Sequence, residues 1–376
     1  MELSNAERSP IHSKIRPFQY LDIALKAPDH TLANIAQLAE FDTIIDVRSP
    51  AEYAEDHIPD AISCPVLDNE ERIRVGTLYK QESPFAARKV GAALVARNIA
   101  RHIEEQFSQH PKSWRPLVYC WRGGQRSGAF THVLREIGWP ARRLEGGYKS
   151  WRHHVLEHLD RMPDGFSFRV IAGPTGSGKS RLLEAMARQG AQVLHLEALA
   201  AHKGSVLGDL PDALQPSQKK FETDIYQALA TFDASRPIFI EAESRRIGQL
   251  QLPPSIFNAI CKGSRLRIEA SVPARVDFLL SDYAYLCNAG QLNGLLDRLK
   301  EMQGGETIAR WQNLAGANDF RTLVTELLTC HYDQCYERSL RRQQTVIALA
   351  PLFKARDLSP AGIEILAAEI IACNEK

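Results

Sequence analysis

Short β-branched runs alternate with longer stretches of helical spacing through the first part of the chain. Thr43-Ile44-Ile45-Asp46-Val47 is followed by a helical pattern near Ala86 to Gln106, and then by Leu117-Val118-Tyr119. Strands separated by helices predict a parallel α/β sheet, because parallel neighbours need a crossover between them. After Trp151 the sequence turns charged and His-rich, and Met162-Pro163-Asp164-Gly165 brings Pro and Gly together just ahead of the apolar run Phe168 to Ala172. Such punctuation marks a domain boundary. The second segment repeats the alternation, with Phe168 to Ala172, Val193 to Leu196, Ile238 to Ile240 and Leu266 to Ala270 as strands of another doubly wound, parallel α/β unit. Beyond about Val276 helical patterns take over, and in Phe320 to Gln343 the apolar Leu323, Val324, Leu327 and Leu328 recur at helical spacing. The expected organisation is a tail over 1–16, a parallel-sheet domain over 17–156, a linker over 157–167, a second α/β domain over 168–275 and a mostly helical region over 276–376.

Composition narrows the class without choosing within it. At 376 residues there is room for two cores, and 44% hydrophobic with 24% charged residues is the balance of an ordinary soluble protein. No apolar run approaches the ~20 residues of a membrane span. Met1 to Pro17 has mixed charge and no apolar h-region, so no secretory signal is read and the cytoplasm is the expected compartment. Seven cysteines without a Cys-x-x-Cys fit reduced thiols and give a structural zinc site no support. The net charge of +1 argues against a uniformly basic nucleic-acid binder. Between Arg115 and Arg152, however, eight Lys/Arg face only Glu136 and Glu145. That local excess is either a phosphate-attracting face or a solvated surface neutralised by acids from elsewhere in the fold.

Cys120 closes an apolar strand and is followed by Trp121-Arg122-Gly123-Gly124-Gln125-Arg126-Ser127, after which a helical pattern runs to Ile137. In a strand, Gly-containing loop and helix of this order, successive backbone N–H groups point inward and the helix N-terminus adds partial positive charge. Both favour an exposed thiolate at Cys120 with an oxyanion in front of it. Arg122 and Arg126 would add guanidinium forks suited to phosphate-like groups. Trp121 is a candidate stacking surface, with packing as the alternative. Cys64, in Ser63-Cys64-Pro65, is either a resolving thiol for Cys120 or a small buried residue before a turn.

Gly173-Pro174-Thr175-Gly176-Ser177-Gly178-Lys179-Ser180 fits G-x-x-x-x-G-K-[ST] after a strand and before a helix, the context that gives this motif its meaning. Glycines let the backbone wrap phosphates, Lys179 reaches their terminal oxygens, and Ser180 can coordinate magnesium. Ile238-Phe239-Ile240-Glu241 supplies a carboxylate at the end of a neighbouring strand, with Glu243 close behind; Glu241 is the expected metal partner. The motif implies a phosphorylated ligand, not its hydrolysis.

Asp46-Val47-Arg48-Ser49-Pro50, Asp56-His57-Ile58-Pro59-Asp60-Ala61, the Cys120 loop and Glu145-Gly146-Gly147-Tyr148-Lys149-Ser150-Trp151, in this order over 41–151, resemble a rhodanese domain. That resemblance implies a persulfide or its selenium analogue carried on the cysteine. The Cys120-to-Arg126 spacing also satisfies the Cys-x5-Arg of phosphatases of related fold, and spacing alone does not separate the two. A phosphatase would want a carboxylic acid for its leaving group, and the sequence offers no clear one.

A rhodanese-like domain followed by a P-loop domain is similar to the tRNA 2-selenouridine synthase family. Val75-Gly76-Thr77-Leu78-Tyr79-Lys80-Gln81, Glu197 to Gly208, Gln218 to Glu222, Glu241 to Gly248 and His331-Tyr332-Asp333 carry the similarity along the chain, with Gln334 standing where the family is expected to have Pro. The resemblance implies a transferase that replaces sulfur by selenium at carbon 2 of wobble 2-thiouridine in a tRNA anticodon loop. Selenophosphate and geranyl diphosphate are its implied substrates, with an S-geranyl intermediate, no tightly bound cofactor and a selenophosphate supplier as partner. A tRNA would give the basic 115–152 stretch a use. Two rivals are a sulfurtransferase fused to a P-loop kinase or ATPase, and a nucleotide-sensing module whose cysteine domain only docks partners.

Overall fold

The computed structural model describes residues 30–205, 208–210, 213–286, 289–342 and 350–374. The expected tail, the start of the first domain and the end of the 320–343 pattern lie outside them. Strands β1 (Leu32–Ala33), β2 (Thr43–Asp46), β3 (Ile62–Ser63), β4 (Pro116–Tyr119) and β5 (Arg142–Leu144) form one parallel sheet in the order β1-β5-β4-β2-β3. Central β4 is buried along its whole length, as a strand covered on both faces must be, and this is why Leu117-Val118-Tyr119 reads as a continuous apolar run. Helices α1 (Pro50–Glu55), α2 (Asn69–Gln81), α3 (Pro84–His102), α4 (Gln125–Ile137) and α5 (Gly147–Arg161) connect and cover the strands. A π-helical turn, Ile103–Phe107, extends α3, and Gly138 at φ 110° ends α4.

The second sheet is also parallel, with β6 (Phe168–Ala172), β7 (Gln192–Leu194), β8 (Ile238–Glu241), β11 (Ser264–Glu269) and β12 (Leu352–Lys354) in the order β12-β11-β6-β8-β7. The hairpin β9 (Arg246–Ile247) and β10 (Leu250–Gln251) stands apart from it. Helices α6 (Lys179–Arg188), α7 (Leu196–Leu199), α8 (Gln218–Ala230) and α9 (Pro254–Lys262) belong to this unit. The chain then enters α10 (Val272–Asp282), α11 (Ala289–Asp297), α12 (Lys300–Gln303), α13 (Gly305–Gly316) and α14 (Phe320–Glu326), followed by a π-helical turn over Leu327–Tyr332 and α15 (Asp333–Arg342). These helices build their own core around the fully buried Trp311. Position 334 follows the π-helical turn directly inside a continuous helical run, where Gln keeps the backbone N–H that a Pro would lack.

Two features differ from the pattern-based expectation. The C-terminal region is mostly helical but does not stay apart: β12 returns to pair with β11, and α16 (Pro360–Asn374) buries Ile363, Leu366, Ala367 and Ile370 in the core that holds Leu182, Leu183 and Met186 of α6. A three-residue edge strand has too few positions to show a period. Nor is 157–167 a loose linker. Helix α5 continues through Arg161, and its Trp151, Val155 and Leu159 join Leu117 and Tyr119 of the first sheet, Val170 and Ile238 of the second and Phe221 of α8 in one apolar cluster. Charge and His content betray the solvent face of α5; its buried face is what welds the sheets.

Polar contacts complete the seam. Asp56, fully buried, accepts from Tyr148 Oη at 2.7 Å and from Thr223 Oγ1 of α8 at 3.0 Å. Arg152 pairs with Glu222, and Lys219 with Glu55 at 2.7 Å. The Gln218–Glu222 segment thus lies against the first domain, and the Asp46-x-Arg48 motif feeds the same network. Arg48 forks onto Asp46, donates to the Asp56 carbonyl and sits 3.9 Å over the Tyr148 ring.

Candidate functional site

Cys120 sits just past the end of β4, where the strand hands over to the loop. Its sulfur accepts from the Gly124 N–H and from Ser127 Oγ, each at 3.2 Å. The residue is only 3% exposed, not the open thiolate the sequence suggested, yet the groups around the sulfur are donors. Burial pushes the thiol upward, but the Ser127 hydroxyl, the backbone N–H groups of Ser127 and Arg122 and the charge of Arg126 outweigh it, leaving Cys120 below its ordinary value. Alkylation of Cys120 should therefore have its midpoint at lower pH than that of a free cysteine. Ser127→Ala should move it upward, as the pH dependence of the iodoacetamide rate would read; an unchanged midpoint would contradict this account of the thiol.

Backbone from the Glu145-Gly146-Gly147 turn supports the loop from behind. Tyr148 N–H donates to the Cys120 carbonyl at 2.8 Å and Lys149 N–H to that of Trp121 at 3.0 Å. Gly147 has φ 60°, and a Cβ there would lie 2.2 Å from the Cys120 carbonyl oxygen and 2.5 Å from Gly123 N. Gly147→Ala should lower stability by about 2–4 kcal/mol in urea unfolding, the strain of a left-handed alanine adding to a backbone collision.

The two arginines of the loop differ. Arg122 is exposed, as are Gly124 and Gln125, whereas Arg126 is bound by Glu52 of α1, Nη1 to Oε2 at 2.7 Å. Burial raises the Glu52 carboxyl, but the Arg126 fork and the Ser49 N–H bring it to about 2. Arg126 thus acts on Cys120 by charge while part of its fork is engaged. Trp121 is half-buried in the domain seam, its ring 5.3 Å from that of Tyr148, with Lys219 Nζ 5.6 Å from its centre. Those neighbours favour the packing alternative for Trp121. Cys64 is fully buried, donates to Gln106 Oε1, and is pushed up to about 12 by burial and by the charge of Asp46. Full burial and the Gln106 contact favour the structural alternative for Cys64, and a thiol so hard to ionise is a poor resolving nucleophile.

Three of the eight cations in the basic stretch over 115–152 are held by acids from elsewhere in the fold. Arg115 pairs with Asp42, Arg126 with Glu52 and Arg152 with Glu222, while Arg135 donates to the Ala141 carbonyl.

Gly173 to Ser180 wraps from β6 into α6. Gly176 and Gly178 have φ of 79° and 76°, and a Cβ on Gly173 would meet the Ile268 carbonyl oxygen at 2.9 Å, so glycine is required where the loop crosses β11. Lys179 Nζ donates to the Gly173 carbonyl at 3.0 Å, and Ser177 Oγ is buried among the loop atoms. Arg275 of α10, 3% exposed, donates Nε to the Thr175 carbonyl at 2.8 Å and forks onto Asp333 at 2.6 and 3.1 Å. That contact, invisible to motif reading, ties the loop to the helical region through the His331-Tyr332-Asp333 segment.

The carboxylate next to Ser180 is Glu197, whose Oε2 accepts the Ser180 hydroxyl, and not Glu241. Glu241 stands behind it, 1% exposed, accepting from the Glu197 N–H at 2.7 Å and meeting His195 Nδ1 at 3.2 Å. A strand-end search finds Glu241 because it is the last residue of β8, and passes over Glu197 because β7 ends three residues earlier. Glu243, half-buried beside Glu197, Glu241 and Lys179, is raised to about 8 by burial and by the two neighbouring carboxylates. Among the described residues no cluster of three His, Cys, Asp or Glu has metal-holding geometry. A magnesium ion on a phosphorylated ligand, however, needs only one or two protein oxygens, and the Ser180 hydroxyl beside Glu197 fits that requirement.

A cavity of about 630 Å³ opens over this loop. Lys179, Lys203 and Arg245 line it together with Glu197, Glu243 and Asp282, and Phe278, Leu279 and Tyr283 give it an apolar wall. An apolar recess of about 80 Å³, bounded by Leu279, Tyr283, Leu323 and Tyr332, adjoins it. No helix among the described residues is long and apolar enough to cross a membrane.

Two family models match the chain one after the other. A family model described as a rhodanese-like domain matches residues 30–154, and one described as the tRNA 2-selenouridine synthase AAA domain matches 166–304. Curated relatives carry the description tRNA 2-selenouridine synthase. The protein of Nitrosomonas europaea is 35% identical, covering 71% of this chain and 70% of its own. That of Marinobacter nauticus is 31% identical over 80% and 89%, and that of Alcanivorax borkumensis 32% identical over 81% and 91%.

Proposed function

Because this chain belongs to the tRNA 2-selenouridine synthase family, an enzyme family that modifies tRNA, we propose that it exchanges sulfur for selenium in wobble 2-thiouridine by two half-reactions, one in each domain. The observation that carries the reading is the coexistence, on one fused core, of an amide-cradled thiol of lowered pKa and a P-loop whose cavity has an apolar wall.

In the P-loop half-reaction the thiocarbonyl sulfur attacks carbon 1 of geranyl diphosphate. The carbon–oxygen bond breaks, diphosphate leaves, and the base loses its N3 proton. Lys179 and the loop N–H groups take the developing charge of the diphosphate, and the hydrocarbon tail lies along Phe278, Leu279 and Tyr283. Ser180 and Glu197 would hold a magnesium ion on the diphosphate, whose chemistry is charge neutralisation.

In the second half-reaction the Cys120 loop holds selenophosphate, with amides and Arg122 on its oxyanion and the Cys120 thiolate beside its selenium. Selenium replaces the S-geranyl group at carbon 2 and geranylthiol leaves; the Cys120 thiolate then takes the phosphoryl group from selenium, and water cleaves the sulfur–phosphorus bond to release phosphate and the free thiol. Geranylation is what makes this exchange feasible, since a neutral thiol leaves more readily than a thione sulfur.

The test is to incubate the enzyme with 2-thiouridine tRNA, geranyl diphosphate and selenophosphate and to analyse the nucleosides. S-geranyl-2-thiouridine followed by 2-selenouridine supports the reading; ATP turnover without any tRNA product favours the kinase alternative instead.

A further inference from the structure

Helices α2 and α3 form a hairpin whose inner face packs closely and whose outer face is exposed among the described residues. Gly91 allows the close approach, since a Cβ there would already touch Val75 at 3.4 Å, and Ala87, Leu94 and Asn98 are buried beside it. On the outside α2 exposes Arg72, Arg74 and Lys80, and α3 exposes Arg88, Lys89, Arg97 and Arg101. Among the described residues none of these cations forms an ion pair, in contrast to the 115–152 stretch, where three of the arginines are paired. Only Glu70, Glu71 and Glu82 oppose them on the hairpin, and Glu71 is engaged by the Asp68 N–H and by Asn98.

Large apolar side chains stand among these charges. Ile73, Tyr79 and Phe85 are 69%, 58% and 67% exposed, and Lys89 Nζ lies 5.1 Å from the Phe85 ring centre. Arg72 and Tyr79 are seven residues apart, as are Ile73 and Lys80, so each pair shares a face of α2. Unpaired cations interleaved with exposed rings suit a polyanion with stackable bases, whereas a protein partner would have to bring a dense acidic patch.

The hairpin also begins at the cysteine loop. Asn69 Oδ1 accepts from Ala51 N–H of α1 at 3.0 Å, and the next residue, Glu52, holds Arg126 and lies within the field of Arg72.

We propose that the outer face of the α2–α3 hairpin is a tRNA docking surface, its cations contacting backbone phosphates and Tyr79 and Phe85 stacking on unpaired bases. This rests on the reading of the chain as acting on tRNA, and it gives the Val75–Gln81 segment a role that neither the thiol nor the P-loop supplies. Phosphate contacts fix the RNA on the hairpin, and the path over α1 leads to Cys120.

The test measures binding of the full chain to fluorescently labelled 2-thiouridine tRNA by anisotropy over a range of salt concentrations. The quadruple variant R74A/K80A/R88A/K89A omits Arg72, which is close to Glu52. It should raise Kd by about 10–100-fold and flatten the slope of log K against log salt by about 3. Y79A/F85A should weaken binding about tenfold and leave that slope unchanged, because stacking releases no counterions. An unchanged alkylation rate of Cys120 in both variants shows that the fold is intact. If the quadruple variant binds with wild-type affinity and slope, the docking surface is wrong while tRNA as substrate stands. If it keeps its tRNA affinity but sediments differently from the wild type, the face is a protein interface and the proposal is overturned. If the wild type itself binds no tRNA, surface and substrate reading fall together.

Discussion

Cys120→Ala should lower 2-selenouridine formation by on the order of 10³-fold or more, yet leave the yield of S-geranyl-2-thiouridine close to that of the wild type. The asymmetry follows from the geometry. The thiol and its donors, Gly124 N–H and Ser127 Oγ, belong wholly to the first sheet, and none of them lines the cavity over Lys179. Removing one sulfur atom from a small, polar-lined loop leaves Gly147, Tyr148 and Lys149 free to keep their backbone contacts, so folding should be little affected. Mass spectrometry of digested tRNA reads both products in one run. Normal selenouridine from the alanine enzyme would refute the assignment of Cys120.

Lys179→Ala should have the converse effect, reducing geranyl transfer by about 10²–10³-fold, the usual cost of removing one donor aimed at developing negative charge. Lys179 is the cation at the start of α6, and the loop that bears it is braced by Arg275 and Asp333 rather than by its own side chain. The alanine variant should therefore keep its fold and the reactivity of Cys120. A second consequence is kinetic: if the contact is made chiefly with the leaving diphosphate, kcat falls more than KM rises. Loss confined to KM would mean that Lys179 binds ground state and transition state alike.

Both sheets are legible in the sequence because their central strands are buried on two faces and so appear as short unbroken apolar runs, as at Leu117-Val118-Tyr119 and Phe168 to Ala172. The cysteine loop and P-loop are legible for a different reason: each is a local motif whose glycines, cation and hydroxyl or thiol are fixed within eight residues. What could not be read depends on contacts between distant segments. Glu197 reaches Ser180 only because β7 lies beyond β8 in the sheet, and Asp333 reaches the P-loop only because a π-helical turn carries it to Arg275. The return of β12 and the shared core along α5 have the same origin. Charge summed along the chain misleads for a related reason. The densest basic stretch, 115–152, has three arginines paired with acids from remote segments, whereas among the described residues the cations of the less conspicuous α2–α3 hairpin form no ion pair.

The division of labour between the two centres is tested most directly by relay. The Cys120→Ala enzyme is first incubated with 2-thiouridine tRNA and geranyl diphosphate, and the recovered tRNA is given to the Lys179→Ala enzyme with selenophosphate. Two chains that each retain one working centre should together yield 2-selenouridine, although neither does so efficiently alone. If the recovered S-geranyl tRNA passes through the second incubation unchanged, the two half-reactions are not separable between these domains, and the assignment of one substrate to each is wrong.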